Sequence, residues 1–306
     1  QDPELHRDIV SLGMVKDLSI DKGKVRFTVE LTTPACPLRE TIETDCKKAL
    51  SAVPGITGLE INFGAQVRGS KAGAGQTDLL PTVKNVVLVA AGKGGVGKST
   101  VAANLAVALK MLGAKTGLLD ADIYGPSVPI IMGVKGEPRK IDVNGVQKIE
   151  PTMAHGVPVM SIGFFLDADQ AVIWRGPMLG KALHQLMGDV HWGELDYLIV
   201  DMPPGTGDVQ ITFSQQLKVS GAVLVATPQL VALADVVRAK SMFDKVMIPI
   251  VGLIENMSYF ICDGCNKEHD IFSRGGAKAA AERFEIPFLG EIPITPALRQ
   301  GGDEGV

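Results

Sequence analysis

The hydrophobic rhythm of this chain changes partway along it. Within residues 1–69, DIVSLGMV and KVRFTVELT read as strands, and the second alternates apolar with polar residues, as a sheet with one buried face requires. Leu38 to Ala52 is polar-rich with apolar residues near helical spacing, and LEINFG reads as a third strand. These elements predict a small α+β domain. GSKAGAGQTD, residues 69–78, is dominated by small flexible residues, so a linker is expected over residues 70–84. From Asn85 to the end, short and continuously apolar runs alternate with helical segments. NVVLVAA, TGLLDAD, DYLIVDMP and GAVLVATP are each expected to lead into a helix, and PIVGLIENM is the next strand. Strands apolar on both faces are expected where helices cover both sides of a parallel sheet. Residues 85–306 are therefore expected to form an α/β domain, a doubly wound and mostly parallel sheet. Ligands of such sheets bind at the carboxyl ends of the strands.

Composition narrows the classes of function. A chain of 306 residues, 46% of them hydrophobic, can build two cores. Lys and Arg number 30 against 34 Asp and Glu, and a net charge of -4 argues against nucleic acid as a partner. The most apolar segment, Gly221 to Val237, is interrupted by Pro228, Gln229 and Asp235, so no membrane partner is expected. No signal peptide is visible and the cytoplasm is the expected compartment. The chain opens at Gln1 rather than methionine and its last residues, QGGDEGV, read as cut, so its natural ends are expected to lie beyond it. Four cysteines (Cys36, Cys46, Cys262 and Cys265) are too few for a disulfide scaffold, and paired thiols in a reducing compartment more often bind metal.

Residues 92–100 read GKGGVGKST: Gly92, Lys93, Gly94, Gly95, Val96, Gly97, Lys98, Ser99, Thr100. This is G-x-x-x-x-G-K-S/T between a strand and a helix expected over Val101–Leu112, the arrangement of a phosphate-binding P-loop. Glycines let backbone N–H groups turn inward around phosphate oxygens, and the helix N-terminus adds partial positive charge. Lys98 is assigned to the β- and γ-phosphates of ATP, Ser99 to Mg2+, and Thr100 to the neighbourhood of the α-phosphate. Gly92, Gly94 and Gly97 also spell the dinucleotide pattern G-x-G-x-x-G, with Asp120 or Asp122 at a suitable distance. Lys98–Ser99 directly after the last glycine decides for the P-loop, because a dinucleotide loop holds pyrophosphate with backbone and needs no lysine there.

Two further strands end in carboxylates. Asp201 closes DYLIVD, where P-loop enzymes hold magnesium, and PPGTGD through Asp208 follows as a switch loop. In LLDAD, Asp120 and Asp122 are two apart and face one way. Asp122 is the candidate to orient attacking water, and Asp120 is read as structural or as an outer partner of magnesium.

Cys262 and Cys265 form C-D-G-C, which sets two thiols on one tight turn. Two ligands complete neither a cubane nor a tetrahedral site. A symmetric dimer would supply four, which matches both a 4Fe–4S cluster and a four-thiolate zinc site. A redox dithiol lacks its usual context here. His269 is read as a surface residue.

Lys93, directly after the first glycine, marks the deviant Walker A subclass that includes MinD and ParA. With DADIYGPS, DYLIVDMPPGTGD, ENMSYF and the cysteine pair, residues 85–306 resemble the Mrp/ApbC iron–sulfur cluster carriers. DPELHRDIVSLGMV and LTTPACP resemble the small iron–sulfur assembly domain often fused ahead of them. The resemblance implies a homodimeric ATP hydrolase. It implies a cluster bridging Cys262 and Cys265 of both subunits, passed to apo iron–sulfur clients with the help of assembly factors. It also implies that Lys93 reaches the partner's nucleotide and that Asn256 contacts adenine. Cys36 resembles a cysteine the small domain's family retains, and Cys46 is read as packing. The family often has proline where Asp263 stands. A MinD/ParA-like positioning switch and a zinc-bound scaffold are the alternative readings.

Overall fold

The computed structural model describes residues 6–67, 69, 79–134, 136–165, 182, 184–205, 211 and 217–306. Residues 70–78 of the expected linker, and Asp208 of the expected switch loop, lie outside the described residues. The chain divides into two compact units, residues 1–68 with 111–114, and residues 69–110 with 115–306.

In the first unit, β1 (Val15–Asp21), β2 (Lys24–Leu31), α1 (Arg39–Ser51) and β3 (Gly58–Ala65) follow one another. The sheet order is β1-β2-β3, with β1 antiparallel and β3 parallel to β2. The alternation read in KVRFTVELT sends Val25, Phe27, Val29 and Leu31 inward, where they pack with Ile42 of α1. DIVSLGMV departs from expectation: only its last residue enters a strand. Asp8 takes the Ser11 N–H on its side chain (2.7 Å) and the Leu12 N–H on its carbonyl (3.1 Å), and Gly13 turns left-handed at φ 68°. A short polar side chain that captures nearby backbone donors coils the segment into turns before it can pair.

The second unit begins with β4 (Val83–Ala90), α2 (Lys98–Met111), β5 (Thr116–Asp120) and α3 (Val128–Ile131). Then come β6 (Arg139–Val143), β7 (Val146–Glu150), β8 (Thr152–Ala154), β9 (Val157–Ser161), β10 (Leu195–Asp201) and β11 (Val219–Ala226). It closes with α4 (Leu230–Lys245), β12 (Ile250–Ile261), β13 (Glu268–His269), α5 (Gly276–Arg283), β14 (Phe288–Ile294) and α6 (Pro296–Glu304). Among the described residues the main sheet runs β13-β12-β11-β4-β10-β5-β9-β8, with β14 also paired to β12. β8 and β13 pair antiparallel and the other strands pair parallel. Where a longer helix was expected after β5, only the short α3 forms, its start set by Pro129. The strands β6 to β9, and β14, were not anticipated.

Successive residues of β10 face opposite sides: Leu198 and Val200 join one core cluster, Ile199 the other. Val236, Ala239, Met242 and Phe243 of α4 and Ala277, Ala280 and Ala281 of α5 cover the first side. Ala102, Ala103 and Ala106 of α2 cover the second. Helices on both faces explain why these strands are apolar throughout. Consecutive β4 and β5 lie on either side of β10, whereas β11 pairs with the other edge of β4. The strand order therefore reverses at β4, which places a crevice at its carboxyl end. Among the described residues no helix is long and apolar enough to cross a membrane.

Phe243 is fully buried beneath the sheet. Phe243→Ala should lower unfolding free energy by about 3–5 kcal/mol, through lost transfer energy and a residual cavity. Urea denaturation monitored by circular dichroism checks this.

Candidate functional site

β4 delivers the chain to residues 92–97, and α2 starts at Lys98, three residues before the expected helix start. Its first turn therefore aims backbone N–H groups at the crevice. Two glycines of the loop are fixed by close approach. A methyl group on Gly92 would overlap the backbone of Asp235 in α4, and one on Gly97 (φ +82°) would overlap the Asn256 amide. Gly94 and Gly95 instead face open space. Val96 anchors the loop in the core. Lys93 is half-buried and makes no hydrogen bond or ion pair among the described residues.

The loop and two strand ends converge on a cluster of charge. Lys98 Nζ lies 2.5 Å from Asp201 Oδ1, 3.4 Å from Asp122 Oδ2 and 3.2 Å from Ser99 Oγ. Asp201 ends β10 in register with Val89 of β4 and Asp120 of β5, so sheet pairing alone sets these side chains side by side. Asp201 is 0% exposed; burial pushes its carboxyl above the usual carboxylate range, and the Lys98 ammonium opposes that shift. Its Oδ2 is buried and has no hydrogen-bond partner among the described residues. A buried carboxylate oxygen aimed beside a serine hydroxyl and an open glycine loop suits a hydrated divalent cation.

Asp120 has a different task. Its carboxyl is pushed up to about 7 by burial, with the Asp201 charge adding to the shift. Oδ1 accepts the Asp122 N–H at 3.0 Å, and Oδ2 accepts the Ser161 hydroxyl at 2.9 Å and the Val128 N–H at 3.2 Å. Asp120 thereby orients Asp122 and ties β5 to β9 and α3.

Asn256 lies inside β12, which runs five residues beyond it to Ile261. It is 5% exposed and its Nδ2 donates to the Val96 carbonyl at 2.8 Å. A cavity of about 580 Å³ opens here, lined by Gly97, Thr100, Asn256, Met257, Pro293 and Arg299 among others. Beside Asn256, the fully buried Glu255 accepts the Ser258 hydroxyl at 2.6 Å and the N–H groups of Gly275 (2.8 Å) and Ala277 (2.6 Å). This carboxylate caps the N-terminus of α5. Sequence reading missed it; the available signal was a lone acidic residue at the end of an apolar run.

Cys262 and Cys265 occupy the turn between β12 and β13. Cys262 N–H donates to the Lys267 carbonyl at 3.0 Å, and Asn266 N–H donates to the Cys262 carbonyl at 2.8 Å. The Cys262 thiol is held below its ordinary range by the Gly264 and Cys265 backbone N–H groups, with the Cys265 thiol adding to them. Such N–H groups aimed at sulfur stabilise the thiolate that binds metal. Cys262 is half-buried and Cys265 exposed. Among the described residues no three His, Cys, Asp or Glu side chains gather as a metal site, and His269 stands exposed on β13. Cys36 and Cys46 are half-buried in the small unit, packed against its core, and burial pushes the Cys46 thiol up.

The family described as "NUBPL iron-transfer P-loop NTPase" matches residues 82–306, and the family described as "Iron-sulfur cluster assembly protein" matches residues 1–63. An iron-sulfur cluster carrier protein of Deinococcus radiodurans is 51% identical over 304 residues, covering 99% of this chain and 84% of the relative. A carrier protein of Synechocystis is 47% identical over 308 residues, covering 100% of this chain and 87% of the relative. Among solved structures, a nucleotide-binding protein of Archaeoglobus fulgidus in complex with ADP aligns with a TM-score of 0.65 at 39% identity, covering 73% of this chain and 87% of that one. The septum site-determining protein MinD of Pyrococcus horikoshii with Mg-ADP, at 24% identity and TM-score 0.51, shares the fold over 72% of this chain and 86% of its own.

Glu255→Gln places an amide N–H₂ where three donors converge. The variant should lose about 1–3 kcal/mol of stability, the cost of a buried polar group left without a partner. Urea denaturation measures the loss, and amide exchange in α5 should rise first.

Proposed function

This chain belongs to the iron-transfer P-loop NTPase family, and from that premise we propose that it is an ATP-dependent carrier. In this reading it holds an iron–sulfur cluster between two copies of itself and passes it to apo-proteins in the cytoplasm. One observation carries the reading: β12 serves both chemistries. Asn256 of that strand braces the phosphate loop, and the cysteine turn begins where the strand ends. One strand therefore joins the two sites.

In this proposal the backbone from Gly92 to Gly97 wraps the phosphates. Lys98 leaves its contacts with Asp201 and Asp122 in part to meet the β- and γ-oxygens, and Thr100 lies near the α-phosphate. Ser99 and Asp201 would hold magnesium, which when bound neutralises phosphate charge and fixes the reacting γ-phosphoryl group. Asp122, held by its N–H on Asp120, orients the attacking water. Asn256 spends one amide N–H on the Val96 carbonyl, which leaves its carbonyl oxygen and second N–H for the edge of adenine. Lys93, with no partner of its own among the described residues, is free to reach the nucleotide of a second subunit.

Two thiols per chain are half of the four-cysteine set of a 4Fe–4S cluster, so a homodimer is the smallest assembly that completes it. The cluster is cargo, which suits thiols on an open turn. The Asp263 carboxylate between them adds negative charge that weakens retention. Residues 1–69 act as an assembly domain joined through the segment ahead of β4.

Lys98→Ala should weaken ATP binding about 100-fold, in keeping with a lost charge-assisted hydrogen bond of about 1.5–3 kcal/mol, while the circular dichroism spectrum persists. Titration with a fluorescent ATP analogue reads this, and unchanged affinity overturns the site assignment. Anaerobic reconstitution of wild type should give about four irons per dimer and broad visible absorption. Cys262→Ala/Cys265→Ala should lose both yet bind ATP normally. Zinc in place of iron, or equal iron in the double variant, removes the cluster assignment.

A further inference from the structure

β12 is not a uniform strand between the phosphate loop and the cysteines. Its pairing with β14 slips between Asn256 and Phe260, and Met257 within the slip is left-handed at φ 56°. Such a bulge bends a strand and loosens its ladder. Beyond it, β13 adds only two residues of pairing, Phe260 with His269 and Ile261 with Glu268. Backbone pairing alone leaves the cysteine turn weakly registered to the nucleotide crevice.

Arg274 bridges this gap. Its Nη1 donates to Glu268 Oε2 at 2.6 Å, on the return arm of the cysteine turn. Its Nε donates to Glu291 Oε2 of β14 at 2.9 Å, and Nη2 lies 2.8 Å from the same oxygen. Its guanidinium carbon sits 4.2 Å from the ring centroid of Tyr259, inside the bulge. The next residue, Gly275, donates its N–H to Glu255, which neighbours Asn256, whose amide holds the Val96 carbonyl. The phosphate loop and the cysteine turn are thus joined by a continuous run of bonds through Val96, Asn256, Glu255, Gly275, Arg274 and Glu268. A planar fork that binds two carboxylates while stacking on a ring is specific to arginine; a lysine offers a point charge.

We propose that Arg274 is a positioning residue that locks the cysteine turn to the nucleotide end of β12, so that nucleotide occupancy alters the exposure of Cys262 and Cys265 through it. The inference rests on the carrier reading above. The test uses the full chain free of metal, so that it does not depend on cluster loading. The Cys262–Cys265 peptide is followed by mass spectrometry during iodoacetamide alkylation, with and without ATP and magnesium. In wild type, nucleotide should change the alkylation rate about threefold or more, the range of coupling carried by contiguous networks. In Arg274→Ala and in Glu268→Gln the two rates should converge, while ATP affinity stays within about twofold of wild type; Arg274→Lys should restore the nucleotide effect only in part.

The inference is overturned if wild type shows no nucleotide effect. It is equally overturned if the folded variants keep the wild-type ratio, including the case in which alkylation rises equally with and without nucleotide, as a merely structural role predicts. Should Arg274→Ala fail to fold, Glu268→Gln and Arg274→Lys carry the decision. Failure of the carrier reading itself shows elsewhere, as wild type that takes up no cluster on reconstitution.

Discussion

Three carboxylates crowd the carboxyl ends of two neighbouring strands, and one ammonium makes that crowding tolerable. Asp201 and Asp120 are fully buried and Asp122 nearly so. Like charges in so dry a place raise one another's proton affinity and resist packing. Lys98 reaches both Asp201 and Asp122, and it can do so only because the glycine loop delivers the first turn of α2 directly above β10. Asp120 is relieved differently, by three donated hydrogen bonds, from Asp122 just past β5, from Ser161 of β9 and from Val128 of α3. The register of the sheet brings these carboxylates together, and the path of the loop and the seating of α3 supply the donors that balance their charge.

Much of this was legible in the chain. Continuous apolar runs announced parallel strands because burial on both faces leaves no polar alternation to read, and GKGGVGKST announced its own geometry because Gly92, Gly97 and the lysine each answer a local need. The hairpins β6–β7 and β8–β9 were legible too and were overlooked. Asn144–Gly145 and His155–Gly156 both take positive φ, at 54° with 81° and at 50° with 75°, as tight two-residue hairpin turns require. The apolar letters of DIVSLGMV misled because Asp8 offers the backbone a closer partner than any strand. Glu255 showed only as a lone acidic residue and Arg274 not at all, since Gly275, Ala277 and Glu291 lie 17 to 22 residues from them, brought in by strand pairing that no local pattern encodes.

The two chemistries of the second unit are built in opposite ways. Around the phosphate loop, Lys98, Asp120 and Asn256 are buried and held by neighbours, and even a methyl group on Gly92 or Gly97 has no room. Around the cysteines, the turn is open and its thiols meet water. A tight site discriminates among ligands and holds them in one pose. An open one can be approached by another protein, and the backbone N–H groups facing Cys262 sulfur hold its thiol below the ordinary range.

β12 has 12 residues, the longest strand among those described, and its pairing with β11 ends at Glu255. Past that point the strand leaves the broad sheet and becomes a narrow ribbon, held by β14, by two residues of β13 near its tip and by Arg274. From Asn256 to Cys262 it reaches at most roughly 20 Å at about 3.3 Å per residue, less what the bulge at Met257 takes up. Over that arm a tilt of roughly 5° displaces the tip by about 2 Å, close to the length of a metal–sulfur bond. An adjustment at the loop too slight to disturb the core is thereby enlarged at the cysteine turn.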